Sequence, residues 1–238
     1  MRIIGAILQD VKFQFRYGFY FIYAVMIAFY IVILGFFPAA WKPQATAIVI
    51  FADPAALGFF FIGGILLLEK GERVLDALFV SPLRVWEYVV AKAVSLGIIS
   101  AVVGIIISFA GLGLKFNLPL TALSLFIGSG LFTFAGMAAG CKAKSVNQYL
   151  IITTPVEIVL SLPPCLVLFG VRSPVLEAMP GSLLLRLVQA GAGISIPAKP
   201  LILLGALILW CIPALYLAVM RMNRFLSKIG GEAYAKNS

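Results

Sequence analysis

Six long apolar stretches constrain this chain more than any other feature of its sequence. A bilayer core about 30 Å thick is spanned by about 20 helical residues, and in lipid only a helix or a closed barrel satisfies its own backbone polar groups. Stretches of that length cover residues 18–37, 45–68, 88–112, 118–140, 148–169 and 200–220. Hydrophobic residues make up 63% of the chain and charged residues 11%, against about 45–50% and about 25% in soluble domains. We therefore predict an all-α integral membrane protein with six transmembrane helices.

The distribution of lysine and arginine predicts which side of the membrane each loop occupies. If both termini are cytoplasmic, five of the 18 basic residues lie on the outer side, namely Lys42, Lys115, Arg172, Arg186 and Lys199. The other thirteen lie on the cytoplasmic side, as the positive-inside rule requires. The same rule accounts for the net charge of +9, because the basic residues form no aromatic-interleaved stripe that would bind nucleic acid. We predict a plasma-membrane protein with cytoplasmic termini, a spanning domain at 18–220 and a tail at 221–238.

Residues 1–17 form a separate amphipathic segment. Apolar residues recur there at helical spacing, while Arg2, Lys12 and Arg16 fall on another face. This pattern predicts a helix lying in the cytoplasmic interface, with its basic residues towards anionic headgroups. A cleaved signal peptide is the rival interpretation, and both Asp10 and the length of the apolar run at 18–37 disfavour it.

The outer loop at 171–199 contains a second short helix. Its apolar residues are Leu183, Leu184, Leu185, Leu187 and Val188. Ser182 is the predicted cap of this helix, and Gly191 or Gly193 its end. About ten residues cannot span a bilayer, so we expect a re-entrant element or a helix lying in the outer interface.

The loop at 69–87 holds the densest cluster of charges, with Glu69, Lys70, Glu72, Arg73 and Asp76 inside eight residues. A helix is predicted after this cluster. Its apolar positions recur at i, i+1, i+4 and i+5 and therefore share one face; they are Val74, Leu75, Leu78 and Phe79. Glu69 precedes Arg73 by four residues, the favourable order for a helical ion pair.

Ser81 and Pro82 then interrupt the helix and predict the start of another, with serine as the cap and proline as the first helical residue. An apolar helix face on the water side needs a protein or the membrane surface to cover it. We predict that a protein partner covers this one.

Small residues recur at helical spacing in the third and fourth spans. Gly97, Gly104 and Gly111 follow one another in the third, and Gly136 and Gly140 form a GxxxG in the fourth. Small residues let helix backbones approach closely in lipid. We expect these stripes to pack inside the chain rather than to drive self-dimerisation.

Glu157 is the only carboxylate near the middle of a predicted span. An ionisable group at that depth is costly unless it is paired or hydrated. Two interpretations stay open: the carboxylate faces a cavity, where it attracts a cationic substrate or relays a proton, or a protonated glutamate bonds to a neighbouring helix. Phe59 and Phe60 in the second span are candidates for lining the path of a hydrophobic drug.

Two spans carry residues that disturb a helix, and these also count among the candidates for a substrate pathway. Asp53 is expected to cap a helix that restarts at Pro54 in the second span. Pro163 and Pro164 are expected to kink or break the fifth span. Such a break is tolerated only where other helices or water satisfy the freed carbonyls.

Several classes of active site are excluded by composition. The chain has no histidine, and its three cysteines are far apart. A His-based triad, an HExxH zinc site and a phosphate loop of the GxxxxGK(S/T) type are therefore missing, and no disulfide framework is implied. We predict that this chain is not itself an enzyme and binds no metal or other cofactor.

The segment at 69–84 reads EKGERVLDALFVSPLR. It resembles the first cytoplasmic loop of ATP-binding-cassette (ABC) exporter permeases of the six-span, type-2 class, and it most resembles the permeases of fluoroquinolone and other drug exporters. In that family an acidic and basic cluster is followed by a leucine-rich helix and then by Ser/Thr-Pro-Leu. The topology of most of the chain agrees, while only these sixteen residues are specific.

The resemblance implies a machine of several subunits. Two permease chains would pair, as a homodimer or a heterodimer, and each would rest on a separate ATPase subunit that carries ATP and Mg. The segment at 1–17 would be the elbow helix and the helix at 182–188 the re-entrant element. The coupling helix and its flanks would contact the ATPase through Glu69, Gly71, Glu72, Arg73, Val74, Leu75, Asp76, Leu78, Phe79, Ser81 and Pro82. Closure of the ATPases would switch a central cavity between inward and outward access.

Other functions remain in competition with drug export. The same machine exports lipid, haem or another cargo in other members of the class. A proton-coupled secondary transporter that uses Glu157 is a second candidate, although no inverted pair of broken helices supports it. A membrane scaffold is a third candidate, and it would leave Glu157 and the paired prolines without a role.

Overall fold

The structure is a computed structural model that describes residues 2–72, 74–75, 83–171 and 173–236, without the side chains of 53–57 and 228–236. Every regular element in these ranges is a helix. The α-helices are α1 (Arg2–Arg16), α2 (Phe19–Phe36), α3 (Lys42–Ala56), α4 (Ile62–Gly71), α5 (Val85–Leu112), α6 (Leu118–Gly140), α7 (Val146–Leu168), α8 (Pro174–Ala178), α9 (Pro180–Gly191) and α10 (Pro200–Lys236). A π-helical segment, Leu57–Phe61, joins α3 to α4.

Five described helices are long and apolar enough to cross a membrane: α2, α5, α6, α7 and the part of α10 at Pro200–Ser227. The all-helical membrane protein predicted from the sequence is confirmed at this level. The predicted second span falls on three consecutive segments, which contain 15, 5 and 10 residues. The sixth crossing therefore stays a prediction.

The second span is irregular at a different place from the one predicted. Helix α3 continues through Asp53 and Pro54 to Ala56, so the predicted restart of a helix at the proline is wrong. The helix widens into a π turn just after the proline instead of ending. In that turn the Phe59 carbonyl accepts a hydrogen bond from the Tyr149 hydroxyl of α7. A neighbouring helix thus satisfies a backbone group of the irregular turn, as a membrane interior requires.

The paired prolines do not break the fifth span. Helix α7 runs without interruption from Val146 to Leu168 and contains Pro163 and Pro164, so the predicted break is wrong. Pro164 lacks an N–H and leaves the Leu160 carbonyl without its usual helical donor. Gly181 of α9 packs directly on that carbonyl, since a Cβ built on Gly181 would overlap the Leu160 oxygen. The missing side chain lets the two backbones meet at the unpaired group.

The short outer helix lies inside the bundle. The side chains of Leu183, Leu184, Leu185, Leu187 and Val188 are all at most 4% exposed, and α9 packs against α3, α6, α7 and α10. A helix in the outer interface would leave one face uncovered, so this burial favours the re-entrant alternative.

The ends of this helix match the prediction only in part. It ends at Gly191, as expected, but it begins at Pro180, so Ser182 is not its cap. The Ser182 hydroxyl is buried and has no hydrogen-bond partner among the described residues.

The glycine stripes pack inside the chain, as predicted. A Cβ on Gly97 would meet the Phe126 side chain and a Cβ on Gly104 would meet Leu125, where α5 lies against α6. A Cβ on Gly140 would overlap the Tyr149 ring. Close approach of α5 and α6 makes this pair the centre of the bundle, with α1 and α2 on one side and α9 and α10 on the other.

Candidate functional site

A cluster of buried charges joins three helices beside the charged loop. We call it the Lys92 cluster, and it consists of Asp10 on α1, Glu69 on α4, and Tyr88 and Lys92 on α5. The Lys92 ammonium forms ion pairs with Asp10 and with Glu69, the second at 2.5 Å from Nζ to Oε1. The Tyr88 hydroxyl donates to the other Glu69 oxygen. Asp10, Glu69 and Lys92 are only 3–5% exposed.

Two polar side chains supply further hydrogen bonds to Asp10. Gln14 Nε2 donates to Asp10 Oδ2 at 2.7 Å and to Ser95 Oγ at 3.1 Å, and the Ser95 hydroxyl also donates to Asp10 Oδ2. Removing a charge from water is costly unless the charge is paired and its remaining lone pairs are bonded. The cluster meets this condition, and it holds α1, α4 and α5 in one relative position.

Helix α1 therefore points Asp10 and Gln14 into the protein, while its basic residues Arg2, Lys12 and Arg16 stay exposed. Asp10 and Gln14 are buried against α5, while Ile4, Leu8 and Phe15 are 57–74% exposed. The predicted amphipathic helix is confirmed. Its exposed apolar side is the one that a membrane interface would cover.

The loop that follows Glu69 is anchored at both ends. Glu69 lies near the end of α4, and its two oxygens contact Lys92 and Tyr88. At the other end, Glu87 Oε2 accepts from the backbone N–H of Arg84 at 2.7 Å and caps the start of α5. Helix α5 begins at Val85 after two non-helical residues, Leu83 and Arg84. Arg84 and Glu87 form the capping pair of this helix, and the predicted cap Ser81 and first helical residue Pro82 lie outside the described residues.

The predicted coupling helix is described only in part. Arg73, Asp76, Leu78, Phe79, Ser81 and Pro82 lie outside the described residues, and so does the predicted ion pair of Arg73 with Glu69. Gly71 and Glu72 are exposed, and Val74 is half-buried.

One residue of the proposed docking face is already covered by this chain. Leu75 is only 2% exposed within this chain, and its contact with a partner stays a prediction.

Lys70 ties the same loop to the opposite side of the bundle. Its ammonium donates to the carbonyls of Cys141 at 2.6 Å and Ala143 at 2.7 Å, just beyond the end of α6. It also lies 4.4 Å from the centroid of the Phe225 ring on α10. A cation at this position satisfies carbonyls that a helix end leaves free. Burial lowers the pKa of Lys70 from its ordinary value.

Two cavities accompany these contacts. The first, of about 470 Å³, lies against the Lys92 cluster and is also lined by Lys12, Arg16 and Val74. The second, of about 420 Å³, lies between α6, α7 and α10. Its described lining is apolar except for Arg221. Both volumes fall within the range of about 300–1,000 Å³ that is usual for small-molecule sites.

Comparison with known proteins agrees with this architecture. The fluoroquinolones export permease protein family matches residues 1–227. Fluoroquinolones export permease proteins from two strains of Mycobacterium tuberculosis are each 32% identical over 189 residues, which cover 77% of this chain and 79% of theirs. The chain belongs to the fluoroquinolone export permease family. Its resemblance to drug-export permeases, drawn from the loop at 69–84, is confirmed.

The candidate substrate residues of this permease do not meet in one pocket. Glu157 is half-buried on α7, next to Val156 of the second cavity, but it does not line that cavity. Among the described residues, none forms an ion pair or hydrogen bond with Glu157. The Phe59 side chain is fully buried, and Phe60 is half-buried.

Pro163 and Pro164 are buried inside the bundle, and the side chain of Asp53 lies outside the described part of the chain. A role of these six residues in substrate passage stays a prediction.

Sequence reasoning missed Lys92 and Asp10 as a pair. Both were counted by position alone, Lys92 as a cytoplasmic positive charge and Asp10 as an argument against a signal peptide. The available signal was that Lys92 lies four residues into the predicted third span, where an ionisable group requires a partner. Which acid pairs with it depends on how α1 and α5 pack, and no local pattern specifies that.

Proposed function

We propose that this chain is the permease subunit of an ATP-driven ABC exporter of drugs or other amphipathic molecules, working with a separate ATPase subunit. Family membership supports export of fluoroquinolones in particular. The observation that carries the ATP-driven mechanism is the anchoring of the loop at 69–84. Glu69 ties it to Lys92 of α5, which in turn pairs with Asp10 of α1, and Lys70 ties it to the end of α6 and to α10. A displacement of this loop would therefore reach four helices of the bundle.

In this mechanism the permease contributes a docking surface and a moving set of helices. The ATPase carries ATP and Mg, and the residues at 76–82 dock on it. Leu78 and Phe79 supply the apolar contact, since Leu75 is already covered within this chain. Two permease chains, identical or related, enclose the central pathway. Binding of ATP then favours one of two arrangements of the helices, which is the minimum requirement for such a switch.

The test is a substitution at the proposed docking surface. Leu78→Asp places a carboxylate in an apolar contact, so it is expected to abolish co-purification with the co-expressed ATPase and drug-stimulated ATP hydrolysis, while membrane insertion is unchanged. Leu114→Asp is the matched control, because Leu114 is 86% exposed and lies two residues beyond the far end of α5. Normal ATPase coupling in Leu78→Asp would refute the docking assignment.

A proton-coupled secondary transporter is the second candidate function. The observation in its favour is Glu157, which is half-buried without a partner among the described side chains. This function predicts drug transport that depends on the proton gradient and continues without the ATPase. Transport by proteoliposomes that contain the ATPase, with ATP and no proton gradient, separates the two mechanisms.

A further inference from the structure

The second cavity has the form of a furrow, built from three helices with matching periodicity. Helix α6 contributes Ala135, Ala138 and Ala139 to its floor, and α7 contributes Ile152, Val156 and Leu160 to one wall. Ala135 lies three and four residues before Ala138 and Ala139, and the α7 residues are four apart, which places each set on a single helix face. The alanines create the space, because larger side chains on the floor would fill it.

The other wall is formed by α10, from Trp210 to Arg221. Eleven residues of helix correspond to a length of about 16 Å. Trp210 closes the outer end, where its Nε1 donates to the carbonyl of Ala178 at 3.0 Å. Arg221 stands at the other end, which the predicted topology places at the cytoplasmic surface.

Charge is concentrated at this one end. Arg221 is exposed, and no acidic side chain in the described part of the chain forms an ion pair with it. Neighbouring charges are also positive, since Lys70, Lys142 and Arg221 all lie close enough to Cys141 to act on it electrostatically. The furrow thus presents an apolar channel with a single guanidinium at its mouth.

We propose that this furrow binds an amphipathic carboxylate, with its flat apolar body against the alanine floor and its carboxylate on Arg221. Arginine binds a carboxylate through two parallel N–H donors, which gives both affinity and orientation. A fluoroquinolone has this chemistry: a planar bicyclic ring system with a carboxylate at one edge. The inference rests on the proposed function and assigns the substrate its position and direction. Arg221 recognises the substrate as it enters from the cytoplasm.

The test compares two ligands that differ only in charge at the carboxyl group. Binding of ciprofloxacin and of ciprofloxacin methyl ester is measured by fluorescence on the purified full-length chain in nanodiscs of neutral lipid. Arg221→Gln is expected to weaken ciprofloxacin binding about tenfold, the loss of one charge-assisted contact, and to leave ester binding unchanged. Arg224→Gln is the matched control: Arg224 is exposed on the same helix but does not line the furrow.

A second variant tests the apolar half of the site. Ala138→Leu fills the floor of the furrow and is expected to weaken both ligands equally. Equal loss of both ligands in Arg221→Gln, or no loss of either, would overturn the proposal, because the arginine would then serve lipid headgroups or the fold. ATP-driven export of ciprofloxacin with unchanged binding in Arg221→Gln would leave the proposed function standing without this site. Binding as expected, without ATP-driven export, would retain the site and overturn the proposed function.

Discussion

Replacement of Lys92 by methionine tests whether the buried charge cluster holds the bundle together. Methionine keeps most of the volume of the lysine side chain but removes the ammonium, which leaves the carboxylates of Asp10 and Glu69 without their cation. Both carboxylates are at most 5% exposed, so water cannot replace the lost partner without opening the packing of α1 on α5. Removing one member of a buried pair costs about 3–5 kcal/mol.

This cost is large enough to measure by thermal unfolding. For a chain of this size about 1 kcal/mol shifts the melting midpoint by about 2–4 °C, so Lys92→Met is expected to lower the midpoint by about 6–20 °C. The assay is tryptophan fluorescence of the purified protein in detergent. Lys12→Met is the control, because Lys12 is exposed on α1 and such surface changes stay within about 0.5 kcal/mol.

Variants that keep the charges of the cluster balanced test the argument more sharply than Lys92→Met alone. Asp10→Asn leaves Lys92 paired one to one with Glu69, so it is expected to cost less than Lys92→Met. The triple variant Asp10→Asn, Glu69→Gln, Lys92→Met removes every charge of the cluster and is expected to recover most of the lost stability. A Lys92→Met protein as stable as the wild type, or a triple variant less stable than Lys92→Met, would refute the reasoning.

Two further predictions concern the fifth span, α7. Gly181→Ala places a methyl group on the Leu160 carbonyl and within 3.1 Å of Pro164, so it is expected to cost about 1–3 kcal/mol by overpacking. Gly205→Ala is the control: no atom lies within 4 Å of its added Cβ, so it is expected to raise the free energy of unfolding by about 0.5–1 kcal/mol. Equal melting midpoints of the two variants would contradict the packing argument. Glu157→Gln is expected to slow transport of cationic drugs in proteoliposomes, because the half-buried carboxylate loses its charge, and transport at the wild-type rate would exclude a cation-attracting role.

The proline sites show where sequence reasoning stops. Helix disturbance at Pro54, Pro163 and Pro164 followed from the chemistry of proline, which lacks an N–H wherever it occurs. Whether the helix ends or continues depends on a neighbouring element. Gly181 lies seventeen residues after Pro164 and packs on the freed carbonyl of Leu160. Tyr149 donates a hydrogen bond to the carbonyl of Phe59 in the π turn.

The sequence alone determined four properties of this protein. They are its place in a membrane, its all-helical class, its amphipathic N-terminal segment and its family, which was inferred from the loop at 69–84. The physical reason is that a bilayer imposes length and hydrophobicity on each segment separately, so these properties are local.

Which residues come together in the bundle is not a local property of the sequence. The ion pair of Asp10 with Lys92 joins residues 82 positions apart, and Arg221 shares its furrow with alanines about 80 residues earlier. A buried charge needs a partner, but the identity of that partner depends on which helix faces pack together, and only the tertiary structure decided that.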